Sequence, residues 1–334
     1  MTSDAGRAGN GTPPTSPTPS IATGIAELGA EALGARTAYG EGALVVCDRV
    51  VRIYVGEGIE VQALQGLDLL VQPGELTAVV GASGSGKSTL MNILAGLDVP
   101  TAGTVRVGGR DLGGLSARER LDYRRRQVGF VWQQTARNLL PYLTARQNVI
   151  VPMRLSRAGR RQRSRRAGEL LGALGVGHCA DRRPDQMSGG EQQRTAIATA
   201  LANEPFLLLA DEPTGELDSA TARDVFGGLQ TANAELGVTV LVVTHDPAVA
   251  DQVSRTVAIR DGRTSSETLR HDVEDGSGSR HAVEYAVLDR AGRVQLPRDM
   301  IEELGMKDRV RLEQEPDHIG VWPDSRRGGA EDRA

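Results

Sequence analysis

Gly81-Ala82-Ser83-Gly84-Ser85-Gly86-Lys87-Ser88 is the stretch on which the reading of this 334-residue chain turns. It stands between an apolar run of strand length, residues 76–80, and residues 88–95, where Leu90, Met91, Ile93 and Leu94 recur on one side of an expected helix. Strand, glycine loop and helix in that order are the context that a phosphate-cradling P-loop requires. The glycines let consecutive backbone N–H groups curl around a phosphate, and the following helix presents its positive N-terminal end to the same anion. Lys87 then reaches the β- and γ-phosphates of a nucleotide, with Ser88 on a magnesium ion. Composition supports the assignment independently. Of the 39 basic residues only Lys87 and Lys307 are lysine. Arginine is the default cation here, and it is not used where a compact ammonium fits and a planar guanidinium does not.

Working outward, the chain reads as α/β. Residues 44–46, 50–54 and 61–71 carry β-rich, partly alternating patterns that end at the Gln72-Pro73-Gly74 turn. From about residue 139 to 201 the pattern is helical and rich in arginine, a helical insert with a solvated face, before strands return at 206–210 and 238–243. The expected divisions are a disordered leader over residues 1–42, a nucleotide-binding domain over 43–264, a linker over 265–281 containing Asp275-Gly276-Ser277-Gly278-Ser279, a small domain over 282–324 and a tail over 325–334.

A formal charge of -4 with 25% charged residues is too mild to argue for nucleic acid or a polybasic membrane patch. The apolar runs at 206–210 and 238–243 fall far short of the roughly 18 residues that a membrane span needs. The first 42 residues lack the basic start and apolar block of a secretory signal, so the expected location is the cytoplasm. Cys47 and Cys179 lie outside any metal-type spacing and read as reduced, structural thiols.

Met187-Ser188-Gly189-Gly190-Glu191-Gln192-Gln193-Arg194 resembles the signature sequence of ABC transporter ATPases, and Phe206-Leu207-Leu208-Leu209-Ala210-Asp211-Glu212 looks like their Walker B strand. Further matches follow in the family's order: Tyr54 as the adenine-stacking aromatic, Gln133 in the Q-loop, Asp218 in the D-loop and His245 as the switch histidine. The resemblance covers about residues 43–263. Gly81-Ala82-Ser83-Gly84-Ser85, Asn138-Leu139-Leu140-Pro141 and Ala210-Asp211-Glu212-Pro213-Thr214-Gly215 look like the group that serves lipoprotein-release, macrolide-export and cell-division permeases.

The resemblance implies an ABC ATPase of the P-loop class, with an antiparallel β subdomain and a helical subdomain. It implies two subunits sandwiching two ATP molecules, the P-loop of one facing the signature of the other, and a separate transmembrane permease that holds the subunit at the inner face of the membrane. In that arrangement Gly81, Ala82, Ser83, Gly84, Ser85, Gly86, Lys87, Ser88 and Thr89 hold the phosphates, and Ser188, Gly189, Gly190 and Glu191, with Asp218, complete the partner's nucleotide site. Mg2+ is held by Ser88, Gln133 and Asp211. Glu212, just after an apolar strand, polarises the attacking water, and His245 holds water and γ-phosphate in line, with Gln133 as the third catalytic residue. Four positions depart from the family pattern: Glu191 for a commoner glutamine, Glu216 for an asparagine, Thr199 for an arginine and Gln147 for a glutamate. None removes a phosphate ligand. The alternative is a non-transport ABC ATPase or a DNA-associated regulator; the single copy of each motif weighs against the first.

Residues 285–297, then Leu304-Gly305 and Val310-Arg311-Leu312, resemble an AbrB-type swapped hairpin, which relatives interlace in pairs. Too small to close a core alone, the segment is expected to form a β-rich dimerisation domain. Its six basic residues against ten acidic ones over 282–324 disfavour DNA.

Overall fold

The computed structural model describes residues 39–56, 58–134, 137–215, 217–272 and 280–324. The architecture is that of the unit beginning at Gly42. The expected leader, apart from residues 39–42, lies outside the described residues, as do the tail over 325–334 and Glu216.

The stretches read as separate strands at 44–46 and 50–54 are one strand, β1 (Val45–Gly56), interrupted by bulges after Cys47 and near Arg52. It pairs antiparallel with β2 (Ile59–Val71) and with β4 (Ala102–Val107), which carries the short β5 (Arg110–Asp111), giving the order β2-β1-β4-β5. This is the antiparallel β subdomain. The second sheet contains β3 (Leu76–Val80), β6 (Val128–Val131), β7 (Leu207–Asp211), β8 (Thr239–Val243) and β9 (Arg255–Arg260), parallel in the order β9-β3-β8-β7-β6.

The continuous apolar runs of β7 and β8 are explained by burial on both faces. Leu207, Leu209, Leu241 and Val243 pack with Leu90, Met91, Ile93 and Leu94 of α1 (Lys87–Leu94). Leu208, Ala210, Val240 and Val242 face the other way, into a core shared with the helices that follow. Those are α3 (Ala145–Leu155), α4 (Arg160–Ala173) and α5 (Gly189–Ala200), which form the expected helical insert, and α6 (Ser219–Leu236). Two shorter helices are α2 (Ala117–Arg126) and α7 (Pro247–Ala250). Among the described residues no helix is long and apolar enough to cross a membrane.

The linker expected over 265–281 is corrected by the structure at its first half. Residues 263–272 form β10 (Arg263–Asp272), antiparallel to β9, and β11 (Arg280–Ala286) pairs with its far side, so the sheet reads β11-β10-β9-β3-β8-β7-β6. Residues 273–279, with the Asp-Gly-Ser-Gly-Ser run, lie outside the described residues. β10 carries Ser, Thr, Glu and Arg, so its composition resembles a loop. Its polarity is satisfied across strands instead. Arg255 of β9 bonds Glu267 at 2.7 Å and Glu75 at 3.0 Å, and Arg270 bonds Asp251 at 2.7 Å.

Beyond β11 the chain contains a turn at Gly292 (φ 77°), closed by Gly292 N–H donating to Asp289 O at 2.9 Å and by one bridge between Leu288 and Val294. Then come α8 (Arg298–Glu303) and a two-stranded hairpin of β12 (Val310–Gln314) and β13 (Ile319–Pro323). This segment rests on the main body: Val287 N–H donates to Ser265 O at 2.9 Å, Arg290 pairs with Asp48 at 3.0 Å, and Arg260 Nη1 donates to Leu296 O at 3.0 Å.

Candidate functional site

The glycine loop between β3 and α1 is shaped by contacts that exclude side chains. Gly81 has φ 155°, and a Cβ there would drive into the Ile259 carbonyl oxygen and lie 2.8 Å from Ser85 Oγ. Gly86, at φ 104°, caps α1, and a Cβ on it would come within 2.5 Å of Ala63 O. Both positions demand glycine by conformation and by space. The side chain of Lys87 is drawn back over the loop, its Nζ donating to Gly81 O at 2.8 Å and Ala82 O at 2.9 Å. Among the described residues no carboxylate pairs directly with it.

Eleven of the residues expected from sequence line one cleft of about 650 Å3: Tyr54, Gly81, Ala82, Ser83, Gly84, Gly86, Lys87, Ser88, Thr89, Glu212 and His245, beside Val61, Gln62 and Ala63 of β2. Ser85 is turned inward, and its Oγ is buried without a partner among the described residues. The hydroxyl of Tyr54 donates to Asp98 at 2.8 Å, and Arg52 lies 4.4 Å from the ring centroid. One face of the ring is thus covered and the residue is fixed at the cleft wall.

At the C-terminal end of β7, Asp211 is half-buried and Glu212 stands in the left-handed region at φ 45°, its N–H donating to Val243 O at 2.9 Å. A non-glycine residue there stores of order 1 kcal/mol of strain, which the β7–β8 pairing holds. Burial pushes the Asp211 carboxyl above its ordinary value, the neighbouring Glu212 adds to this and Lys87 opposes it. Glu212 Oε1 faces His245 Nδ1 at 3.3 Å.

Gln133 is exposed and does not line the cleft; its Nε2 lies over Gly215, close to where Glu212 Oε2 also lies. The backbone before it is held by Asn138, which accepts from Trp132 N–H and donates to Trp132 O, both at 2.8 Å. The sequence reading takes Asn138 only as part of the motif that marks the group of permeases served, and misses this clamp.

Ser188, Gly189, Gly190, Glu191 and Asp218 are not brought to the cleft within one chain. Ser188 caps α5: Glu191 N–H donates to Ser188 Oγ at 3.2 Å, and Ser188 N–H donates to Glu191 Oε2 at 2.7 Å. That reciprocal pair is a capping box and stabilises the helix end by about 1 kcal/mol. The Glu191 carboxylate is therefore occupied within its own chain, where the sequence reading had it among the nucleotide contacts. The Ser188 backbone N–H, with His178 and Cys179, holds its pKa down to about 2. Asp218 likewise caps α6, accepting from Ala220 and Thr221 N–H at 3.0 and 3.1 Å and from the Thr221 hydroxyl at 2.6 Å.

These residues fit a nucleotide with magnesium. The cradle admits no side chain at Gly81 or Gly86, the Lys87 ammonium is held by two neutral carbonyls, Ser88 is exposed at the cleft, and among the described residues the buried Ser85 hydroxyl has no partner.

The family model described as ABC transporter matches residues 64–215. The chain is 48% identical over 217 residues to the lipoprotein-releasing system ATP-binding protein LolD 1 of Rhodospirillum rubrum, covering 65% of this chain and 95% of that protein. It is 49% identical over 212 residues to the macrolide export ATP-binding/permease protein MacB of Syntrophobacter fumaroxidans, covering 63% of this chain but only 29% of that longer protein. The fold is similar to the dimeric, post-hydrolysis ATP-binding cassette MJ0796 bound to ADP and Pi, with a TM-score of 0.61 and 39% identity, over 67% of this chain and 98% of that one.

Proposed function

The chain belongs to the ABC transporter family, and on that premise we propose that it is the ATP-hydrolysing subunit of a transporter whose permease is a separate membrane protein. The observation that carries the reading is a divided site. The P-loop, Glu212 and His245 share one cleft, while the Ser188 helix end lies elsewhere in the same chain. A second copy, placed head to tail, would supply the missing half.

In that dimer the loop N–H groups and Lys87 bind the β- and γ-phosphates, and Tyr54 stacks on the adenine. Ser88, Gln133 and Asp211 would hold magnesium, which supplies charge neutralisation between the phosphate oxygens. Glu212 accepts a hydrogen bond from the attacking water, and His245, paired to it at 3.3 Å, keeps the two aligned. The Ser188 hydroxyl and the N–H groups of Gly189 and Gly190 of the partner subunit would face the γ-phosphate.

The permease is expected to belong to the lipoprotein-release or macrolide-export group, a reading supported by the relatives' names and by 95% coverage of a stand-alone ATP-binding protein. The C-terminal segment is proposed to pair with its copy. Leu288, Leu304, Leu312 and Ile319 are each more than half exposed in one chain, which supports a partner over them. The test is purification of the chain with its candidate permease in detergent. ATP hydrolysis that rises on reconstitution supports the reading, and a chain that hydrolyses ATP but associates with no membrane protein overturns the transport part of it.

A further inference from the structure

At the N-terminal end of α5, outside the lining of the nucleotide cleft, three different donor types converge. His178 Nε2 lies 2.9 Å from Glu191 Oε1, and Cys179 Sγ lies 3.2 Å from the same oxygen. All three ligand atoms fall within 4.8 Å of one another. We propose that His178, Cys179 and Glu191 form a binding site for one zinc ion per chain, a site that ties the 3-10 turn at 177–179 to the N-terminus of the signature helix.

The two edges that meet at Glu191 Oε1 are near those of a zinc site. With Zn–N and Zn–O bonds of about 2.0 Å and a Zn–S bond of about 2.3 Å, the edges of a tetrahedral site measure about 3.3 to 3.5 Å. The observed 2.9 and 3.2 Å to Glu191 Oε1 need open by only a few tenths of an ångström, and the third edge, between His178 and Cys179, lies within 4.8 Å and closes by rotation of the exposed His178 ring. The donor set of imidazole, thiolate and carboxylate selects a borderline metal, since magnesium and calcium prefer all-oxygen sites. Three protein ligands leave the fourth position to water, and the exposed His178 ring gives the ion its entry path.

The carboxylate is also oriented from behind. Its second oxygen, Oε2, is held by Ser188 N–H at 2.7 Å, the outer-shell support that metal-binding carboxylates require. Zinc on Oε1 therefore leaves the helix cap in place. Cys179 must lose its proton on binding, and that proton passes to solvent. Because binding releases this proton, it weakens as pH falls. Arg182 Nη1, 3.9 Å from Sγ, faces the sulfur and favours the thiolate that results. Without metal the imidazole and the thiol both hydrogen-bond to Glu191 Oε1, so the three donors are already gathered around one point.

The consequence for hydrolysis rests on the function proposed above: zinc would stiffen the helix end that carries Ser188 to the partner's ATP. The binding itself does not depend on that reading, and its test does not use ATP turnover. Full-length protein stripped with a chelator is titrated with Zn2+ alone, and with Co2+ as a spectroscopic stand-in. The expected results are one Zn2+ per chain, a near-ultraviolet thiolate-to-Co2+ band, and a rise in melting temperature on adding Zn2+. His178→Ala and Cys179→Ser should each weaken Zn2+ binding at least about tenfold, and Cys179→Ser should abolish the band. ATP affinity, measured on the same samples, should be unchanged by His178→Ala, so a failure of the nucleotide site is read separately. Absence of Zn2+ binding in the folded wild-type protein, equal binding by both variants, or a Co2+ complex without the thiolate band would overturn the site.

Discussion

Glu212 and His245 face each other at the rim of the P-loop cleft, the carboxylate Oε1 3.3 Å from the imidazole Nδ1. The two come from the ends of adjacent parallel strands, β7 and β8, so their approach is set by the sheet itself. A carboxylate in that position can accept from a water, and an amide of the same shape cannot polarise it.

Glu212→Gln should therefore bind ATP with near-normal affinity while turnover falls about a hundred- to ten-thousandfold. ATP should then trap a dimer, seen by light scattering. Near-normal turnover in the purified variant would remove Glu212 from the chemistry.

Lys87→Ala removes the cation that folds over Gly81 O and Ala82 O. ATP binding should weaken about ten- to a hundredfold, the value of a charge-assisted contact. Unchanged affinity by calorimetry would mean that the loop is not the phosphate cradle.

Gly86→Ala places a Cβ 2.5 Å from the Ala63 carbonyl at φ 104°. Strain and overlap should cost about 1 to 3 kcal/mol, read as a lower melting temperature, together with loss of ATP binding. Gly84→Ala, where φ is 79° but no atom lies within 4 Å, should cost less. Equal losses would show that conformation alone, and not the Ala63 contact, sets the requirement.

Glu191 makes a pH-dependent contribution whose sign is fixed. Its carboxyl is lowered from 4.5 to about 2 in the folded chain, so its stabilisation is fully present above pH 4.5 and is lost as pH falls from there towards 2. Glu191→Ala should lower stability by about 1 kcal/mol at neutral pH, with the gap from wild type closing in acid. Glu191→Gln keeps a capping box and should lose less. A gap that stays constant from pH 7 to 3 in denaturant titrations would show that the carboxylate charge contributes nothing.

The C-terminal segment can be removed in two places with different results. Cutting after Ala286 keeps β10 and β11 and should leave a folded ATPase that is monomeric without nucleotide. Cutting before Ser265 strips Glu267 from Arg255 and opens the edge of β9, and should lower the melting temperature as well. If full-length and short forms are both monomers by light scattering, the segment does not join two copies.

The nucleotide half of the site was legible because its residues are contiguous or follow strands buried on both faces. Leu207 to Asp211 and Thr239 to Val243 are apolar throughout, which ends each strand clearly and puts Glu212 and His245 just beyond. β10 was not legible. Its ten residues, Arg-Thr-Ser-Ser-Glu-Thr-Leu-Arg-His-Asp, show no apolar alternation, and the partners that make it a strand lie on β9 and near Asp251. Glu191 was read as a departure from a motif, and nothing local in sequence tells that its carboxylate meets a histidine and a cysteine from the preceding turn. Tyr54 was found by position, but the Arg52 and Asp98 that fix it are visible only in three dimensions.

Because β10 and β11 continue the sheet, its lateral boundary no longer falls on β9. The open flank of the molecule is now β11, whose His281, Glu284 and Tyr285 are exposed to solvent. A charged, polar flank is a poor template for another chain's backbone, so the extension also guards against edge-to-edge aggregation. Deleting it for convenience in crystallisation or fusion work would bare β9, with its buried Val257 and Ile259, and the first symptom to expect is insolubility.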